Sequence, residues 1–486
     1  MSNLFVACDL RAEFGSVMLG TLHKDNLMMS EVRRFQNPIV HDRKSVQWNI
    51  PQLYQETLGA LTEIGSYDEA IDGVSCSSWP GDYLLFDSSG AIITPTYHPS
   101  DPRSEAGQNE VFSKVPWETL YNETGIQSFP GNTLFQLAAE KPKRLNRASR
   151  LMPVADGFNY LLSGVPRVEM SLASATQLFN PATESWSTTL LNTLHLSPTL
   201  FPPLIPAGTK LGSLRPDVIK ETGIEDAQVI ASCSHELAAA LVGLPVNKGE
   251  SLAFLRCDST AVMGLGLVGP IINDTSRDSG FSNEIGHGGS VRFSRTIPGV
   301  WILDECRRFW KEKDRELEND VLTHLAISAP PFECFINFAD PRFSEPGDMP
   351  LKVQAYCKET GQTVPRKPGP ILRCVLESLA LLYRKTLKEM EHITGRDLAR
   401  LYLLDASEYS LLNHFTANAL QIPVILVPAD STAIGNVVVQ ALTLGYLKSL
   451  NQAREIVWQS CKMETLHPHA AIWNEAYDRF VELMAA

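Results

Sequence analysis

Leu4-Phe5-Val6-Ala7-Cys8-Asp9-Leu10-Arg11-Ala12-Glu13-Phe14-Gly15-Ser16-Val17-Met18-Leu19-Gly20 reads as a strand, a tight turn and a returning strand. The apolar run Leu4–Cys8 is short and ends on an acid, the pattern of a buried central strand whose carboxyl end carries a polar group. Ser16–Gly20 is the expected hairpin partner. The same sentence recurs in the second half of the chain: Ser251–Leu255 runs into Arg256-Cys257-Asp258-Ser259-Thr260, and Val262–Leu265 resumes as a strand. Gly73–Cys76 and Leu84–Asp87 read as two further strands, the second closed by the turn Ser88-Ser89-Gly90. Leu401–Leu404 and Val424–Val427 are buried-strand candidates. Ile371–Met390 carries apolar residues at 372, 375, 376, 379, 382, 383 and 387, the spacing of one packed helical face. Two strand-rich openings, each followed by helices, predict two similar α/β lobes with a ligand cleft between them.

A chain of 486 residues is too long for one core, and two domains of roughly 200 residues each are the natural division. The boundary is expected near Pro245-Val246-Asn247-Lys248-Gly249, where proline and glycine punctuate the chain. This gives an N-terminal lobe over 1–245 and a C-terminal lobe over 246–486 that ends in a helical tail. Net charge is −13, which argues against nucleic acid and against an anionic membrane as partners, since both demand a basic face. The basic run Lys141-Pro142-Lys143-Arg144 reads as a solvated face. Nine cysteines without C-x-x-C spacing fit a reducing cytoplasm. No stretch approaches about 18 apolar residues, and the N-terminus lacks a basic segment followed by an apolar one, so neither a membrane span nor a signal peptide is expected. Cys76, Cys233 and Cys257 would need a fourth partner and mutual proximity to hold a metal; they read as small apolar residues, and no metal site is expected.

Several segments together carry a family resemblance. They are Gln127–Leu137 with Pro130, Asn132, Thr133 and Gln136; Met152-Pro153 with Asp156; Glu169; Thr176-Gln177-Leu178; Gly299-Val300-Trp301; Phe335-Ile336-Asn337; Leu376–Tyr383; and Pro428 with Ser431-Thr432 and Gly435-Asn436. The chain resembles the FGGY carbohydrate kinases, rhamnulokinases above all, from about Leu4 to Gln440. The resemblance implies a fold of two actin-like (RNase H-like) lobes, Mg-ATP as cofactor and a small-molecule sugar, a ketose or derivative, as substrate. It implies Asp9 as the metal-associated acid, Asp258, Ser259 and Thr260 at the nucleotide, and Trp79, Asp82, Asp101, Arg103 and Asn132 around the sugar. Glu236, after His235, stands where the family carries its catalytic base. Monomer and homodimer both occur among such lobes, and no surface pattern chooses between them.

The departures fall where phosphate should sit. Arg11 replaces the glycine of the first loop, with Glu13-Phe14 adding bulk; Asp258 stands at a glycine of the second; Asp405-Ala406-Ser407 replaces a glycine triplet in the third, Leu404–Tyr409. Backbone approaches a phosphate closely only where no side chain intervenes, and added carboxylates repel it. A sugar-binding homologue with lost or severely weakened phosphorylation is therefore expected. One alternative is an active ketose kinase with an unusual nucleotide site. Another is an ATP-independent ketose isomerase or epimerase working through His235 and Glu236. Gly286-His287-Gly288-Gly289 reads as a turn or a small phosphate nest, and His467-Pro468-His469 as exposed tail.

Overall fold

The computed structural model describes residues 2–67, 69–246, 250–313, 317–406, 409–469 and 472–485. Residues 247–249, at the expected lobe boundary, and Ser407 and Glu408, in the third loop, lie outside them. The chain forms two compact units, one made of Met1–Val246, Leu267–Phe293 and Asp430–Lys462, the other of Asn247–Gly266, Ser294–Ala429 and Met463–Ala486.

In the first unit the opening segment forms the strand Asn3–Leu10, buried from Leu4 onward, and the antiparallel strand Phe14–His23. A third strand, Asn26–Gln36, extends the meander. On its other side Asn3–Leu10 runs parallel to Gly73–Ser78, which in turn runs parallel to Gln228–Ala231. Thr209–Ser213 closes this six-stranded sheet. Because the parallel strands are covered on both faces, they carry no polar alternation: all six residues of Gly73–Ser78 are buried. The helices Ile50–Gly65 and Val154–Ser163 pack their apolar sides onto the sheet in one core with Leu4, Val6, Val74 and Val229.

A later segment completes this unit. The helix Ser431–Leu444 is buried on every side from Ser431 to Ala441. Gln440 donates to the Val6 carbonyl at 3.0 Å and Asn436 to Ser77 Oγ at 2.7 Å, which ties the helix to the central strands. Gly435 is required by proximity: a Cβ there would lie 1.8 Å from the Ala239 carbonyl oxygen on the helix Glu236–Val242.

The second unit repeats the hairpin with Ala253–Cys257 and Thr260–Leu267. Ala253–Cys257 runs parallel to Leu401–Leu404, which runs parallel to Val424–Leu426; Glu464–Leu466 adds an antiparallel edge. The long helix Pro368–Thr394 has proline in its first turn, where the missing N–H costs nothing, and stops at Gly395, whose φ of 63° places it in the left-handed region. Leu372, Val375, Leu376, Leu379, Leu382, Tyr383 and Leu387 are all buried on it, as their spacing predicted. No helix among the described residues is long and apolar enough to cross a membrane.

Candidate functional site

The carboxyl ends of the parallel strands of the first unit converge. Asp9 is the penultimate residue of its strand, in register with Ser77 on the neighbouring strand. It is buried, and its Oδ2 accepts from Arg11 Nε at 2.9 Å. Arg11 is itself buried. Its backbone N–H closes the turn onto Phe14 O at 2.8 Å, and its guanidinium reaches Thr432 Oγ1 at 3.3 Å. Arg11 thus turns its charge back on the acid beside it.

One strand over, Ser78 bridges to His235 in parallel register, and the Ser78 N–H donates to Ser234 O at 2.8 Å. Trp79 and the pair His235-Glu236 are thereby held at adjacent strand ends. His235 is the N-cap of the helix Glu236–Val242: its Nδ1 accepts the Leu237 N–H at 3.1 Å. Its Nε2 lies 2.8 Å from the Arg292 guanidinium, with a Glu284 oxygen 3.7 Å away. Burial, then Arg292, push the His235 pKa down, so the ring stays neutral. Burial would raise Glu284, but Arg292 and His235 outweigh it and hold that carboxyl down at about 2. Glu236 opens the helix, where the macrodipole favours a negative charge.

Beneath this loop lie two buried acids. Asp156 accepts from Ser234 Oγ at 2.7 Å, and Glu169 accepts the Ser234 N–H at 2.8 Å and the Ser171 N–H at 3.0 Å. Burial, then Glu169, raise the Asp156 pKa well above the carboxylate range, and burial raises Glu169 to about 7. The sequence marked both residues through the resemblance but assigned them no role; their burial beneath a polar loop is visible only in three dimensions.

The remaining residues expected around the sugar form a connected framework. Asp82 Oδ2 accepts from the indoles of Trp79 at 2.7 Å and Trp48 at 2.6 Å, and Oδ1 accepts from Gln136 at 2.7 Å. The two indoles lie 4.8 Å apart, and Trp48 packs on His98 at 4.4 Å. Burial raises the Asp82 pKa to about 6, although its three donors oppose the rise. Asp101 accepts from Ser45 Oγ, the Val46 N–H and the Arg103 N–H at 2.8–3.0 Å. Arg103 stacks on Tyr97 at 3.6 Å, pairs with Glu140 at 3.2 Å and donates to Gln136 O at 3.1 Å. Asn132 donates to Gln127 O and Gln177 Oε1 at 2.9 and 2.8 Å. Asp82, Arg103 and Asn132 are thus joined through the segment 127–140, whereas Trp48 and Gln136 join the group without having been singled out as site residues.

In the second unit Asp258, Ser259 and Thr260 are exposed at the tip of the hairpin. Asp258 Oδ1 accepts the Ser259 N–H at 2.8 Å, and Asp258 O accepts from Val300 N at 2.9 Å. Gly299 makes that approach feasible: a Cβ there would lie 2.0 Å from Asp258 O. Asp405 pairs with Arg256 at 3.0 Å and adopts a φ of 47°, so the left-handed turn natural to glycine persists on an aspartate. A cavity of about 320 Å³ in this unit is lined by Asp304, Arg307, Arg308 and Lys311, with Arg308 already paired to Glu305 and Glu312.

Cys76 neighbours Cys8 across paired strands, while Cys233 and Cys257 lie in different units. Gly288 and Gly289 both have positive φ, in the short turn that follows Gly286.

Sheet order, the repeated hairpin and the two units define the class: a two-domain, actin-like α/β protein. Two family models match, the N-terminal domain of the FGGY carbohydrate kinases over residues 17–243 and the C-terminal domain over 253–444. The chain belongs to the FGGY family of carbohydrate kinases. It is 32% identical to the rhamnulokinase of Bacteroides thetaiotaomicron over 485 residues, 99% of each chain. It is also 32% identical to the rhamnulokinase of Enterococcus faecalis, covering 95% of this chain and 93% of that one. Among solved structures, gluconate kinase from Lactobacillus acidophilus superposes with a TM-score of 0.83 at 13% identity, over 100% of this chain and 98% of that one.

Proposed function

We propose that this protein binds a ketose or a ketose derivative on its first unit and that its ATP-dependent phosphorylation is lost or severely weakened. The sugar class follows the name of its relatives, the rhamnulokinases, which match along nearly the whole chain. Glu236 is the proposed general base toward a sugar hydroxyl. His235, neutral and used as a helix cap, positions it: Nδ1 accepts the Leu237 N–H, which leaves the ring proton on Nε2 beside Glu284, an arrangement that suits positioning better than proton shuttling. Trp79 and Asn132 are proposed to face the sugar, with Asp82, Asp101 and Arg103 holding that wall. The proposed division into lobes at 245/246 is supported by family matches that end at 243 and begin at 253.

The observation that carries the loss is the buried pair Asp9–Arg11. Phosphoryl transfer depends on a divalent ion bridging phosphate oxygens, and such an ion is held by carboxylate oxygens. Here the acid that would serve it already accepts from a guanidinium at 2.9 Å, a fixed positive charge that repels a second cation. In the other unit Asp258 and Asp405 add carboxylates at positions where the family presents glycine. These residues do not fit Mg-ATP. Calorimetry should give no heat with Mg-ADP at millimolar concentration, while L-rhamnulose or its 1-phosphate raises the melting temperature. A phosphorylated sugar seen by mass spectrometry after incubation with Mg-ATP would overturn the loss; no stabilisation by any ketose would overturn the sugar site.

A further inference from the structure

We infer that Cys334, Cys357 and Cys374 form a buried three-sulfur site in the second unit for a soft, thiophilic metal ion of three-coordinate preference, with Cu(I) as its expected occupant. Their sulfurs all lie within 4.8 Å of one another, and all three residues are buried. They come from three separate segments. Cys357 is on the helix Met349–Glu359 and Cys374 on the helix Pro368–Thr394, while Cys334 sits in the loop that follows the helix Asn319–Ser328.

That loop is held on both sides of Cys334. The Phe332 N–H donates to Glu377 Oε2 at 2.8 Å, and the Ile336 N–H donates to Ser378 Oγ at 3.0 Å. Gln362 accepts from Phe335 N at 2.7 Å and donates to Phe335 O at 2.9 Å. Ser378 donates in turn to the Cys374 carbonyl at 2.6 Å. Cysteines that merely fill a core have no need to converge, because a thiol is a weak donor and a weak acceptor.

Three sulfurs sharing an ion at metal–sulfur bonds of about 2.3 Å lie about 4.0 Å apart, so the trio closes on an ion with adjustments of under about an ångström. Thiolates select Cu(I), zinc and iron–sulfur clusters. Structural zinc takes four ligands and clusters take four cysteines, whereas the group found among the described residues has three. Binding releases protons from the sulfurs that still carry them, so affinity rises with pH. No oxidation or reduction is involved.

The test is an anaerobic titration of the full-length, reduced protein with Cu(I) against a chromophoric Cu(I) chelator. One equivalent should bind, with ultraviolet thiolate-to-copper charge transfer, and should shield three of the nine cysteines from alkylation at a denaturant concentration that exposes them in the metal-free chain, mapped by mass spectrometry. Cys357→Ser should weaken binding at least tenfold, while Cys233→Ala leaves it unchanged. Because the alkylation map needs only the wild-type chain, it decides the matter even if C357S folds poorly. Copper that shields other cysteines, or binding equal in C357S, overturns the site. Zinc held more tightly than Cu(I) relative to matched chelators overturns the choice of ion. A disulfide joining two of the three in protein isolated without oxidant overturns the metal reading altogether.

Discussion

The two hairpins, Asn3–His23 and Ala253–Leu267, share a topology and differ in where their charge lies. In the first, the side chains of Arg11 and Asp9 are only 9% and 4% exposed. In the second, Arg256 and Asp405 retain 16% and 21%, and Asp258, Ser259 and Thr260 face solvent. A buried ion pair is expensive to break, because the surviving charge stays out of water; a partly exposed one is screened. Charge at the hairpin turn is thus locked into the interior of one unit and left partly open to water in the other.

Arg11→Ala should separate the two hairpins most sharply. We expect a loss of about 3–5 kcal/mol in denaturant unfolding, against about 1 kcal/mol or less for Arg256→Ala. Equal losses would show that the first pair is no more deeply committed than the second.

Glycines that admit close backbone approach offer the next comparison. Gly435→Ala must push Ala239 O, and with it the helix Glu236–Val242, away from residue 435, and Gly299→Ala must push the hairpin tip at Asp258 O away from residue 299. Each should cost about 1–3 kcal/mol. The first should also weaken ketose binding by displacing Glu236, whereas the second should leave it unchanged; thermal-shift titration with the sugar distinguishes them.

The pH response is the third. Asp82 and Glu169 titrate higher in the folded chain, at about 6 and 7, than they would unfolded. Asp156 is raised as well. Between about pH 4 and pH 7 the folded state therefore holds more protons than the unfolded one, and stability falls as pH rises through that window. Asp82 and Glu169 each contribute on the order of 1–3 kcal/mol, and Glu169→Gln should flatten the slope. A slope unchanged in that variant would remove Glu169 from the account. The smallest effect is expected at the exposed tip, where Asp258→Gly should change stability by no more than about 0.5 kcal/mol.

Much of the framework was legible in order along the chain. Apolar runs ending on Asp9 and before Cys257, and the helical spacing of 372–387, depend on local periodicity, and each appears as an element at those residues. The candidate site was legible as a set of positions through the family resemblance, but not as a set of interactions. Nothing near Asp82 in sequence announces Trp48, 34 positions earlier, or Gln136, 54 later, as its donors. Nothing in an Asp-Leu-Arg string says whether the arginine points outward to a phosphate or inward to the acid two residues before it.

The sequence by itself determined the alternation of strand and helix, the repeated hairpin and the family, because each is encoded in neighbouring residues whose spacing survives without three-dimensional context. Only the tertiary structure decided which charges meet. It closed Arg11 onto Asp9, set Asp156 and Glu169 beneath Ser234, and brought together Cys334, Cys357 and Cys374 from three separate segments. Burial and partner choice depend on which surfaces the folded chain removes from water together, a property of the whole packing rather than of any stretch of it.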